Sequence, residues 1–149
     1  MALPKLNTAQ YELKVPSSGK TIEYRPFLVK EEKILLMALE GEEEKEMAKA
    51  IKQILSQCIL TENFKIDNLA LVDVEYIFLK VRGKAVGDKS NIFIVCTECE
   101  NKVEIELDLE EIKIDTHKDH TDLIKLTDDI QVRMVPPKME YLMATVSKN

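Results

Sequence analysis

Asn91-Ile-Phe-Ile-Val95, Cys96-Thr-Glu-Cys99 and Lys102-Val-Glu-Ile-Glu-Leu107 follow one another almost without a gap. Two runs rich in β-branched residues flank a short polar link, which is the pattern of an antiparallel hairpin. The link carries two cysteines in a Cys-x-x-Cys spacing, so the turn holds two sulfurs close enough to grip one metal ion, as half of a zinc ribbon does. A second Cys-x-x-Cys is absent. His117-Lys-Asp-His120 repeats the spacing with imidazoles, and Cys96, Cys99, His117 and His120 form a candidate four-ligand set for structural zinc. The opposing reading is two reduced thiols in a turn and two exposed loop histidines. A redox role fits less well, because such motifs usually open a helix, whereas Cys99 leads into a strand pattern.

Upstream, Tyr11-Glu-Leu-Lys-Val15 and Thr21-Ile-Glu-Tyr-Arg25 alternate in period two around Pro16-Ser-Ser-Gly19. They predict a first hairpin over 10–25, with Leu13 and Val15 on the same face as Ile22 and Tyr24. After Pro26 the period becomes helical. Leu28, Ile34, Leu35 and Met37 to Leu39 gather on one broad stripe, and Met47, Ile51, Ile54, Leu55 and Cys58 on another. Between them lies Gly41, followed by Glu42 to Glu46 as an acidic first turn of the second helix. A third helix is expected through Ala70, Val74, Ile77, Phe78 and Val81, capped by Asp67 or Asn68 and ended by Gly83 and Gly87.

Beyond the Cys hairpin, Leu107 to Ile112 is expected to make one helical turn. Leu123-Ile-Lys-Leu126 and Ile130-Gln-Val-Arg-Met134 then make a further hairpin around Thr127-Asp-Asp129. A short helix follows over 137–146, with Pro137 near its first position. The fold class is therefore α+β in a single domain over 1–149: an N-terminal β-hairpin, a helical part over 28–84, and a mainly antiparallel β part over 91–134.

Composition narrows the function. The 149 residues have 45% hydrophobic and 32% charged residues, a globular balance. The apolar runs fall far short of the roughly 20 residues that cross a bilayer, so no membrane role is expected. Met1-Ala-Leu-Pro-Lys lacks the apolar stretch of a secretory signal. Three cysteines suit a reducing cytosol better than a disulfide framework. The net charge of −6, without a cluster of Lys and Arg, argues against nucleic acid as a partner.

Catalysis finds little footing. Gly83-Lys-Ala-Val-Gly87-Asp-Lys-Ser90 departs from a phosphate loop in spacing, follows a helix, and sets Asp88 where phosphate would sit. No orienting Asn or Asp and no glycine elbow accompany the cysteines and histidines, and no carboxylate pair lies in an apolar stretch. Cys58 falls on the apolar face of its helix and reads as core. Arg25 and Arg82 read as ion-paired or surface residues. The chain is expected not to be an enzyme.

Longer stretches add a resemblance. Tyr11 to Gly19, Glu23-Tyr-Arg-Pro-Phe-Leu-Val-Lys-Glu-Glu-Lys-Ile-Leu-Leu-Met-Ala38, Val74-Glu-Tyr-Ile-Phe-Leu-Lys-Val-Arg-Gly-Lys-Ala-Val-Gly87 and Glu104-Ile-Glu-Leu-Asp-Leu109 are the stretches that carry it. Together they resemble the baseplate hub subunits, or hub assembly proteins, of T-even-like contractile-tailed bacteriophages, over a span from about Gln10 to Val135. The resemblance implies a structural or assembly component that binds other hub or tail-core proteins. It also implies work in the host cytoplasm during assembly, or a place in the virion tail baseplate. Members of that family are often longer at the carboxyl end, so Asn149 is expected to close a short relative or a truncated product. Phe27 and Leu28, after Pro26, are the candidate apolar anchors for a partner, against a reading as core contacts between hairpin and helix. The alternative function is a small cytosolic zinc-ribbon-like adaptor, which would bind one zinc ion and lose stability to a chelator.

Overall fold

A computed structural model describes residues 8–41, 43–115 and 117–146. The first two strands, β1 (Tyr11–Lys14) and β2 (Thr21–Tyr24), pair antiparallel with Leu13 opposite Ile22 and Tyr11 opposite Tyr24. The register puts Tyr11, Leu13, Ile22 and Tyr24 on one face, as the alternation requires. The connection is closed by Gly19, whose φ of +66° a side chain would strain, and whose amide donates to the Val15 carbonyl at 2.8 Å.

Three helices follow: α1 (Val29–Glu40), α2 (Glu44–Cys58) and α3 (Leu71–Val86). Between the last two, the chain leaves α2 extended and lies along the edge of β2. The Arg25 amide donates to the Cys58 carbonyl at 2.9 Å, and the Leu60 amide to the Glu23 carbonyl at 2.8 Å. Val15, Ile22, Tyr24 and Phe27 from the hairpin side meet Ile54, Leu55 and Cys58 of α2 and Val74, Ile77 and Val81 of α3. This is the core, built where period-two and period-3.6 apolar stripes face each other.

The ribbon strands β3 (Lys89–Val95) and β4 (Lys102–Asp108) pair along their whole length, with Ile92 opposite Ile105 and Ile94 opposite Val103. The last pair, β5 (Leu123–Lys125) and β6 (Gln131–Arg133), sets Ile124 opposite Val132. Each hairpin is a separate two-stranded sheet. The chain then returns to the body: the Leu71 amide donates to the Pro137 carbonyl at 2.8 Å and the Met139 amide to the Leu69 carbonyl at 3.2 Å. Helix α4 (Met139–Val146) starts there, with Met139 buried in the core. The α+β class and the order of elements agree with the sequence pattern.

Four local expectations are corrected. Asp67 and Asn68 do not cap α3; Ile66–Asn68 is a separate 3-10 turn and Ala70 stands at the cap. Gly83 lies inside α3, buried beside Leu109, whose Cβ would be at an ordinary contact distance of 3.8 Å from a side chain there. Gly87, at φ +128°, is the true stop. Leu107 to Ile112 is the end of β4 followed by a turn rather than a helical turn, because the Asp108 carboxylate takes the Glu110 amide and Lys80 of α3 takes the Leu109 and Glu110 carbonyls. Pro137 precedes α4 rather than entering it, since Lys138 bridges to Ala70.

Candidate functional site

Three polar residues are buried at the joints of the body. Glu31, in the first turn of α1, accepts from the Leu28 amide at 2.8 Å and from Arg25 at 3.0 Å. It forms half a capping box: Glu31 closes back on the cap residue, while Leu28 has no acceptor to return. Burial opposes its ionisation, but Arg25, the Leu28 amide and Lys30 outweigh that and hold the carboxyl below its usual range. Asp73, in the first turn of α3, accepts from both the amide (2.9 Å) and the hydroxyl of Ser17, tying the hairpin turn to the helix. Lys80 donates to the carbonyls of Leu109 (2.8 Å) and Glu110 (2.9 Å), and Lys84 pairs with Glu110. The root of the β3–β4 ribbon is thereby fixed to α3.

Beyond that root little is covered. Ile92, Ile94, Val103 and Ile105 share one face of the ribbon by register, and all four are exposed. On the β5–β6 hairpin, Ile124, Leu126, Ile130, Val132 and Met134 share a face, and all five are exposed. A two-stranded hairpin is marginal alone in water, and apolar stripes of this kind normally lie against a second layer. On the body, a cleft of about 630 Å³ opens between the helices, lined by Leu39, Met47, Ile51, Val74, Phe78 and Met139. Its rim carries Glu43, Glu75 and Arg82.

The residues singled out by sequence fall as follows. Cys96 and Cys99 share the tip of the β3–β4 ribbon, Cys96 partly buried and Cys99 exposed. Amides of Cys99 and Glu98, with the Cys99 thiol, hold the Cys96 thiol below its usual range. His117 and His120 sit in an exposed turn in which the His120 amide donates to the His117 carbonyl at 2.9 Å. Nδ1 of His117 accepts the Asp119 amide at 3.3 Å. Among the described residues no group of three or more His, Cys, Asp or Glu side chains is placed to hold a metal ion, so the thiol pair and the histidine pair are not brought together. Cys58 is fully buried in the core, and burial pushes its thiol up to about 11.

Phe27 is buried in the core, and Leu28 is half-buried at the α1 cap. The exposed large apolar side chains of α1 are Val29 beside that corner and Leu36, Met37 and Leu39 further along the helix. Arg25 is ion-paired with Glu31, as a structural arginine should be. The joints at Glu31, Asp73 and Lys80 escape sequence reasoning, which places charged residues on the surface. The only signal for Glu31 is its position three residues after the helix cap. The cleft gives no sequence signal, since half-buried and core positions share one stripe.

Among the described residues no helix is long and apolar enough to cross a membrane. Comparison with protein families finds that residues 8–149 match the one described as T4 bacteriophage base plate protein. Searches of curated proteins and of solved structures gave no match.

Proposed function

The chain belongs to the T4 bacteriophage base plate protein family, and we propose that it serves the baseplate hub, as a subunit or an assembly factor, by binding neighbouring phage proteins. A structural family of this kind points to work by contact rather than by turnover. The observation that carries the reading is the excursion between Gly87 and Pro137. Its two ribbons turn nine exposed aliphatic or Met side chains to two open faces, while its root and its return are anchored to the body. Burying such faces against a neighbour's sheet or helix supplies the second layer that each ribbon lacks. The corner at Leu28 and Val29 at the start of α1, and the cleft at the far end of that helix, offer the body's own apolar contacts to the same neighbours. Partners in this reading are other hub or tail-core proteins, met in the host cytoplasm as the baseplate is built.

Co-expression with the hub and tail-core proteins of the same phage tests the reading. The expected result is a complex that survives size-exclusion chromatography. The double substitution Ile94→Asp, Val132→Asp should break it while the helical body still melts cooperatively. A chain that migrates alone in the presence of every hub protein overturns the proposal. The family match favours this reading over a zinc-ribbon adaptor.

A further inference from the structure

Charge is divided unevenly between the body and the excursion. Residues 88–136 hold thirteen Asp and Glu against six Lys and Arg, whereas the rest of the chain holds fourteen against fifteen. The excursion alone therefore carries a formal −7 and the remainder +1. Some of its carboxylates are neutralised locally: Glu106 pairs with Lys89, Asp122 with Arg133 and Asp128 with Lys125. At the root, Asp88 and Glu110 pair with Lys84 of α3. Glu98 and Glu100 at the tip of the β3–β4 ribbon, Glu104 on β4 and Asp129 in the β5–β6 turn are exposed, and no ion pair reaches them among the described residues.

The unpaired acid lies beside the open apolar surface. By register Glu104 and Glu106 alternate along β4 with Val103 and Ile105, so carboxylates back the aliphatic face and continue around the tip. Neighbouring strands are only about 4.8 Å apart, so a ribbon of two is narrow. A partner seated on Ile92, Ile94, Val103 and Ile105 meets those carboxylates at the ribbon's margin. Charge then decides which occupant is accepted. A second excursion would bring the same sign of charge to the contact, and a second body, being near neutral, offers nothing to compensate it. Nucleic acid and an anionic lipid surface are disfavoured for the same reason. A protein with Lys and Arg around an apolar strip satisfies the aliphatic face and the carboxylates together.

We propose that the excursion docks on a basic surface of a different protein, whose apolar strip covers the aliphatic ribbon faces and whose surrounding Lys and Arg side chains pair with Glu98, Glu100, Glu104 and Asp129. This assignment rests on the hub reading and adds to it the chemistry of the partner's surface. Long-range attraction steers the encounter, and burial of the aliphatic faces holds the complex.

The test uses the full chain with each hub and tail-core protein of the same phage, purified separately. Association and dissociation rates are measured at about 0.05 M and about 0.5 M NaCl. Expected is an association rate that falls about tenfold or more across that range, with little change in dissociation. Glu98→Gln, Glu100→Gln and Asp129→Asn together should slow association several-fold at low salt. Glu12→Gln, Glu40→Gln and Glu62→Gln remove the same charge from exposed sites on the body and should leave the rate near that of the native chain. Carbodiimide coupling of the complex should join carboxylates of the excursion to lysines of the partner. A complex whose association ignores both salt and the excursion variant overturns the proposal and leaves the hub reading standing. So does a complex coupled only through carboxylates of the body. No complex with any of these proteins overturns both. Self-association through the excursion, or capture of duplex DNA or anionic vesicles by it, overturns the basic-protein assignment.

Discussion

The body and the excursion use the same kind of residues to opposite ends. In the body, Ile54, Leu55, Ile77 and Val81 have essentially no exposed surface, and even Glu31 and Asp73 are fully enclosed with partners. Between Gly87 and Pro137, the β-branched residues of both hairpins stand in solvent, and among the described residues only Leu109 is buried, where it meets α3 beside Gly83. Strand pairing is complete in both regions, so backbone hydrogen bonding does not distinguish them. What distinguishes them is a second layer. The first hairpin is backed by α2 and α3, and the later ones are backed by nothing among the described residues. Apolar patterning thus specifies that a face wants covering, and only packing says whether the cover is internal.

Equal truncations should break the two regions unequally. Ile77→Ala in the core should cost about 4 kcal/mol through lost transfer and a cavity, read as a large drop in the urea midpoint. Ile94→Ala on the ribbon should move the free chain's midpoint by less than about 0.5 kcal/mol, while weakening capture of hub partners.

Next in size comes Glu31→Gln, which leaves Arg25 partly buried and unpaired and should cost about 3 kcal/mol. The carboxyl is held below its usual range, so its charge adds stability above the ordinary glutamate value of about 4.3. That stability drains away as pH falls from there through the lowered value. A pH titration of the melting temperature should show a steeper acid limb for the native chain than for Glu31→Gln.

Lys80→Met should have a smaller effect, about 1–2 kcal/mol for two lost charge-assisted bonds to Leu109 and Glu110. Its signature is local: limited proteolysis should cut faster between residues 88 and 137 while fragments of the body persist. If the whole chain melts instead, the root belongs to the body's cooperative unit and the division between the regions is less sharp. The smallest effect is chemical. At neutral pH iodoacetamide should label Cys96 and Cys99 quickly and spare Cys58, whose thiol is pushed up to about 11; labelling of Cys58 at a comparable rate would mean that the core opens readily.

Much of the architecture is legible in the chain itself. Alternation at Tyr11–Val15 and Thr21–Arg25, the shift to helical period after Pro26, and the pairing around Cys96-Thr-Glu-Cys99 all rest on local rules that packing did not override. The boundaries were less readable. Gly83 looks like a helix stop, yet it lies inside α3 beside Leu109, and Asp67 looks like a cap but sits one turn too early. Each depends on a residue distant in sequence.

The sequence by itself determined the α+β order, the faces of each strand and helix, and the two-sulfur turn, because periodicity and spacing act over a few residues. Tertiary structure alone decided that Glu31, Asp73 and Lys80 would be buried joints, since each needs a partner brought from elsewhere along the chain. It likewise decided that the histidines would stand apart from the cysteines, and that two apolar ribbons would be left open. Those outcomes turn on which faces find each other, and no local pattern encodes that.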